Sequence, residues 1–598
     1  MVDERSPVIM RIRALVLTAL VILSSITSVI ASDTVTTQDV EISGNHTMTG
    51  NYTVSKGTTL TLKSGTTIDM GNYWLKVDGN LVADNTTIMS SIQTTGAGSH
   101  NAGVWDSLTI SSTGSASLDN VTVSNAKSCL IVDGLLQAKH LAVADCLIGI
   151  EVAGSATIED FMANDVDIDG LRVTGDADIS DGELSDMSGG VHSSGDLVLN
   201  NVEFMNAGTG ITLTGGTADL ADLEFLSGVG NAVSISAGVS GDIEGMSGTS
   251  TNAIVSMDSA GFTISDVNMS GERLVNSWSA GNLTISDAVY VSTSGETPID
   301  IRTSGTVTLS DIELDGSFNS NQGSFDAPWI GMALAGSGDY IIDSSTIKST
   351  DSALKASGTG TLTITDSTFM SDRIGMAFSG ISATTLDGVV INISSDGEMG
   401  IDILQGSHTF TDLEVNMPFN QFATDSTGIN AWWCDISGQE MSVNGFANSI
   451  SVFEAVLNTD DLILRDSAKQ GLYASSSMVS VNDLFETRVA DNGLILSSSS
   501  AVIRTWDASY HDDGGVIDSE SEATVWSLAA LGNLYADVTG DGVLNYGTSQ
   551  TLNFNTALTD NRIWEMTVTF EDLTGNPVDA DWTVLGFSGT ATGGMDTL

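Results

Sequence analysis

Two short stretches hold side chains suited to acid–base chemistry. Asp372 stands beside Arg373, and Asp460 and Asp461 precede Arg465 on one stretch. Paired carboxylates can protonate a leaving oxygen and activate water on a sugar ring, and a base beside them can take a proton. The same residue types also make exposed ion pairs worth about 0–1 kcal/mol. Trp432 and Trp433 are adjacent and followed by Cys434. Neighbours on a strand point to opposite sides, so one indole is expected at the surface, free to stack on a sugar or a partner, or else to plug an irregular coil. Asp537, Thr539, Asp541, Val543 and Asn545, with Gly542 at the turn, follow the ligand spacing of a calcium loop, but Thr548 stands where a bidentate acid belongs. The competing reading is an acidic Gly turn joining domains. His46, His100, His140, His192, His408 and His511 are scattered, without metal-ligand spacing.

These residues sit on a repeat. Gly134, Gly154, Gly175, Gly195 and Gly215 are spaced 20, 21, 20 and 20. An inner Gly-apolar pair keeps the same beat at Gly149-Ile150, Gly170-Leu171, Gly190-Val191 and Gly210-Ile211. It returns at Gly331-Met332, Gly375-Met376, Gly400-Ile401 and Gly428-Ile429. Each unit holds three short segments of period-2 alternation, the strand signal, separated by Gly, Asp and Asn corners. One such strand cannot bury its apolar side alone. Three wound into a coil can, and coils stacked about 4.8 Å apart pair every backbone group with the next coil. Leu118, Ile158, Ile179, Leu199, Ile285, Leu309 and Ile364 each lie four residues after a unit-ending Gly, and are expected to form one internal aliphatic row.

This pattern resembles the right-handed parallel β-helix of the pectin-lyase-like superfamily, and the resemblance covers roughly residues 40–530. The expected fold is therefore all-β, a solenoid of about 20 or more coils. The resemblance also implies a functional choice, because many proteins of this kind act on acidic polysaccharides. The lyases among them need calcium-binding acids beside an Arg or Lys, and the hydrolases need paired Asp residues. Asn458-Thr459-Asp460-Asp461 resembles one hydrolase element, but no Gly-His-Gly or Arg-x-Lys segment follows it in order.

The ends differ from the repeat. Arg11 and Arg13 precede an apolar run over 14–30, the layout of a signal peptide cleaved near Ala31. The alternative is an uncleaved anchor helix. Residues 32–530 are assigned to the β-helix with its N-terminal cap. Residues 531–598 are read as a linker carrying the calcium-loop-like turn, then a small β module, complete or truncated. Its segment Asp572-Leu573-Thr574-Gly575-Asn576-Pro577-Val578 resembles the β-sandwich modules appended to prokaryotic surface proteins. Long units at 306–338, 381–406 and 407–438 are expected to project loops. Sequons at Asn45, Asn51, Asn85, Asn120, Asn268, Asn282 and Asn392 are possible glycan sites in an exported chain.

Composition narrows the partners. Asp and Glu number 76 against 19 Lys and Arg, a net charge of −57, so nucleic acid is a poor partner. An anionic membrane surface is disfavoured for the same reason; membrane contact is expected only through an uncleaved signal or an anchor. Asp119, Asp266 and Asp343 fall five residues after a unit-ending Gly, and Asp181, Asp287, Asp311, Asp366 and Asp412 fall six after. They are read as one corner, capped by Asx side chains or screened by salt or calcium. Cys129 and Cys146 are 17 apart, three short of a period, and are expected to be buried and free. The function expected from all this is a secreted or cell-surface scaffold, structural or adhesive, binding glycans or neighbouring surface proteins. The alternative is a polysaccharide lyase or glycoside hydrolase on the same fold.

Overall fold

The structure, a computed structural model, describes residues 28–30, 33–92, 104–236, 238–256, 261–278, 281–316, 330–418, 425–489, 492–497 and 499–508, together with short strands between 525 and 597. The expected calcium loop at 537–545, the expected insertion around 318–328 and residues 419–424 of the one expected around 417–426 lie outside the described residues, as do residues 1–27. The described residues are strands and turns with no helix, wound as a right-handed parallel β-solenoid of about 19 turns. The chain divides into two compact units, residues 1–328 and 329–598.

In the first unit the expected aliphatic row exists. Leu118, Ala138, Ile158, Ile179, Leu199, Leu220, Ile243, Ile264, Ile285 and Leu309 pair in sequence, coil on coil. All ten are buried. Alternation is the cause: strands such as Thr306–Asp315 turn every second side chain inward, and the parallel register keeps like positions in line. Phe204 and Phe225 extend the core with stacked rings 5.1 Å apart. The inner glycines are needed for close approach, since a Cβ at Gly190 would lie 2.4 Å from the Gly210 carbonyl and 2.7 Å from the Phe204 ring. In the second unit, Ile342, Ile364, Leu386 and Phe410 form the equivalent row.

The corners use left-handed backbone. Asn85, Asn120, His140, Asp160, Asp181, Asn201, Asp222, Gly245, Asp266, Asp287 and Asp311 occupy one row of the first unit, and all have positive φ. Asp and Asn tolerate this conformation because a short polar side chain can bond locally. The expected acidic corner therefore needs a correction of register. Asp119 and Asp343 stand one residue before the left-handed positions, which are Asn120 and Ser344. Asn also relieves the charge: Asn201 Nδ2 donates to Asp181 Oδ1 at 2.6 Å, and Asn206 Nδ2 to Asp186 Oδ1 at 2.9 Å.

The cysteine expectation is overturned. Cys129 and Cys146 form a disulfide with Cα atoms 5.9 Å apart, a normal separation. Cys129 lies beside Gly149 of the next coil. Asp145 takes left-handed backbone immediately before Cys146 and the 5.9 Å separation shows that the chain bends here, so the offset assumed for a straight strand does not arise.

Near the two ends the described strands are short. Ser28–Ile30, inside the segment read as a leader, pairs in parallel with residues 46–48. Beyond residue 540, Thr567–Thr569 pairs antiparallel with Met595–Thr597, and Ala580–Val584 with Phe587–Ala591.

Candidate functional site

The residues proposed for acid–base chemistry do not converge. Arg373 lies between two carboxylates on adjacent coils, with Nη2 3.1 Å from Glu398 Oε2 and Nη1 3.7 Å from Asp351 Oδ2. The bond to Glu398 and the field of Asp351 raise its pKa further. Asp372 is exposed, and its backbone carbonyl accepts a bond from Ser394 Oγ at 2.7 Å. Asp460 is exposed and accepts a bond from Asn482 Nδ2, while Asp461 pairs in register with Asp483. Arg465 belongs to another row, beside Asn444 and Thr487, with its guanidinium carbon 5.8 Å from the Phe485 ring centroid. Four strand spacings, roughly 19 Å of axis, separate the Arg373 and Arg465 coils. No group of three or more His, Cys, Asp or Glu able to hold a metal ion occurs among the described residues.

A groove of about 380 Å³ in the first unit is lined by Asp176, Asp178, Asp196, Asp219 and Asp242. Thr217 donates to Asp196 through its hydroxyl at 2.8 Å and its amide at 3.0 Å, holding that carboxyl below its usual range. Such a lining repels anionic sugars.

The side chains that do converge are aromatic. Leu404, Trp432 and Phe453 occupy one outward row of adjacent coils in the second unit. The Trp432 and Phe453 rings stack at 4.0 Å with an interplanar angle of 10°. Tyr473 packs against Phe453 at 5.4 Å, and Trp432 Nε1 donates to Asn430 Oδ1 at 3.2 Å. Trp432 and Phe453 thus spend their facing ring surfaces on each other. Trp433 stands edge-on to Trp432 at 5.9 Å and 64°, and it is 50% exposed. Its Nε1 donates to Glu454 Oε2 at 2.9 Å. The stack therefore braces one open indole, with a carboxylate fixed at its edge.

The pair of tryptophans departs from strict alternation. Trp433 has φ 54°, so the chain turns a corner there, and both indoles reach the outer surface. Cys434 lies buried beneath them, and burial, with Asp435 adding to it, pushes its thiol up to about 12, leaving it inert. Phe453, Tyr473, Asn430 and Glu454 were not singled out from sequence. Only coil register relates them: Phe453 and Glu454 follow Trp432 and Trp433 by 21 residues, Tyr473 lies in the row of Asn430 two coils on, and Asn430 precedes Trp432 on the same strand.

Several sequon amides serve the structure. Asn120 Nδ2 donates to Asn85 Oδ1 at 2.9 Å, and Asn85 Nδ2 donates to Ser64 Oγ at 3.2 Å. Asn51 Oδ1 accepts from the Trp74 amide, Asn282 Oδ1 from the Thr306 amide and Asn392 Oδ1 from Asn416 Nδ2. Asn268 is exposed on its strand, and Asn45 is half-buried.

No protein-family model and no curated protein matches the chain. Among solved structures, a mutant of the PL6-family alginate lyase AlyGC aligns over 85% of this chain and 98% of that chain, at 9% identity and a TM-score of 0.27. At that score the likeness assigns neither family nor activity. The chain itself is a right-handed parallel β-solenoid, the architecture that its repeat resembles.

Proposed function

We propose that this protein is a secreted or cell-surface β-helix scaffold that binds glycans through the aromatic face of its second unit. One observation carries the reading: the open indole of Trp433, braced by Trp432 and Phe453 and tied to Glu454. A pyranose offers an apolar face of C–H groups to such a ring, while its hydroxyls seek carboxylate and amide partners. Glu454 and Asn430 are of those types and lie on the same coils. The fold supports the scaffold half of the reading, since each coil is held by its neighbours over its whole length. The leader layout and the Cys129–Cys146 disulfide support an exported, oxidising setting. Calcium at the acidic corners and at the 537–545 turn belongs to the same proposal.

The test is retention of the purified full chain on immobilised glucan, mannan, xylan and alginate. Unsaturated products and new reducing ends are followed in parallel. Retention without turnover supports the scaffold, and turnover on any of the four supports the lyase or hydrolase alternative. No retention on any of them overturns the glycan reading.

A further inference from the structure

The corner that carries Trp433 belongs to a row of left-handed backbone. Gly336, Gly358, Gly380, Gln405, Trp433, Glu454 and Ser476 stand in line on consecutive coils. Their φ values are 115°, 115°, 74°, 67°, 54°, 49° and 52°. Left-handed backbone is cheap for Gly and tolerable for Asn and Asp, but unfavourable for a large side chain. The first three coils take the cheap solution. At Gly358 it is obligatory, because a Cβ would lie 2.0 Å from the Gly336 carbonyl oxygen. The next three coils then abandon it for Gln405, Trp433 and Glu454. Among the described residues, no other Gln and no other Trp adopts positive φ.

Burial does not repay this. Gln405, Trp433 and Glu454 are all exposed, so the core gains little from the larger side chains. Strain maintained without a packing return marks positions kept for what they display. The three side chains stand about 4.8 Å apart along the coil axis and span roughly 10 Å. The order is amide, indole, carboxylate. Trp433 Nε1 occupies only one of the acceptor positions of Glu454, leaving the others to a ligand. The nearby charged groups, Asp402 and Asp435, are acids.

We propose that Gln405, Trp433 and Glu454 form a specificity strip for an uncharged glycan lying along the coil axis. One sugar ring covers Trp433, and hydroxyls on its two sides bond the Gln405 amide and the Glu454 carboxylate. The strip rests on the glycan-binding reading above. It adds the class of glycan, its orientation and the residues that select it.

Trp433→Gly and Gln405→Gly in the full chain separate display from folding, because glycine relieves the backbone at both corners. The melting temperature of each variant is expected to stay level or rise. Retention on the neutral glycan that holds the wild type is expected to fall at least tenfold for Trp433→Gly, and severalfold for Gln405→Gly and Glu454→Gln. If the wild type binds no glycan, the glycan reading itself fails. If it binds and Trp433→Gly binds equally well, only the strip fails. A Trp433→Gly protein that melts several degrees lower assigns Trp433 to packing and overturns the strip, as does wild-type preference for alginate over the neutral glycans.

Discussion

Acidification should loosen the corner that carries Gln405, through one buried histidine. His408 is 1% exposed, with Phe378 and Phe410 at ring-centroid distances of 6.1 and 6.3 Å. Its Nε2 lies 3.0 Å from the Gln405 carbonyl oxygen, so that nitrogen carries the proton of the neutral ring. Nδ1 is buried without a hydrogen-bond partner. Protonation would place a second N–H there, with nothing to accept it. Burial accordingly pulls the His408 pKa down, against smaller opposing pulls from the Gln405 carbonyl and Asp435. The unfolded chain then binds this proton more readily than the folded one, so stability rises with pH between the two pKa values. The contribution is complete above the ordinary histidine value of about 6.5, and it is lost as the pH falls from there toward the depressed folded value. One proton sets the limiting slope, about 1.4 kcal/mol per pH unit. His408→Gln keeps a donor for the Gln405 carbonyl and cannot titrate. Urea unfolding of both proteins between about pH 5 and about pH 7.5 isolates the histidine, because the carboxylates titrate alike in each. The wild type should lose stability relative to the variant only below about pH 6.5. A difference that stays constant across the range would refute the argument.

Two further outcomes follow from the corners and the disulfide. Asp287 stands between Asp266 and Asp311 in the left-handed row. Asp287→Asn keeps a residue suited to that backbone and removes two repulsions of about 1 kcal/mol or less each in water. Its melting temperature should exceed that of the wild type at low salt, and the gain should vanish at high salt. If calcium binds this corner, added calcium should also erase the gain; a gain indifferent to calcium would sink that part. Replacing Cys129 and Cys146 by serine opens a link between residues 17 apart and should cost roughly 3 kcal/mol in urea unfolding. Reductant should lower the wild type alone; an unaffected wild type would show that the cysteines are free in solution.

Much of the architecture was legible in the repeat. Alternation over four or five residues separates inside from outside without reference to any distant residue, and a period near 20 sets the register of coil on coil. The row from Leu118 to Leu309 could therefore be named before any coordinates. Corner chemistry was legible as a type, since Asp, Asn and Gly suit turns, but its register was less so. Asp119 and Asp343 lie one position from the left-handed residue, a shift that spacing from a glycine cannot resolve when coils differ by a residue.

The disulfide and the candidate site needed the third dimension. Counting residues along an assumed straight strand kept Cys129 and Cys146 apart; the bend of the chain beside Asp145 brings them together. Trp432 and Trp433 were visible as a pair, yet their neighbours were not. Phe453 lies 21 residues after Trp432 and becomes its stacking partner only because consecutive coils lie in register. The catalytic candidates met the opposite fate: Asp372 and Arg373 share one coil, and Asp460, Asp461 and Arg465 share another four strand spacings away. The sequence by itself determined the solenoid, because a short apolar period is a local property repeated many times. Which side chains share a surface was decided by the tertiary structure, because contact depends on coil register and corner conformation, and one left-handed residue turns a side chain from one face to another.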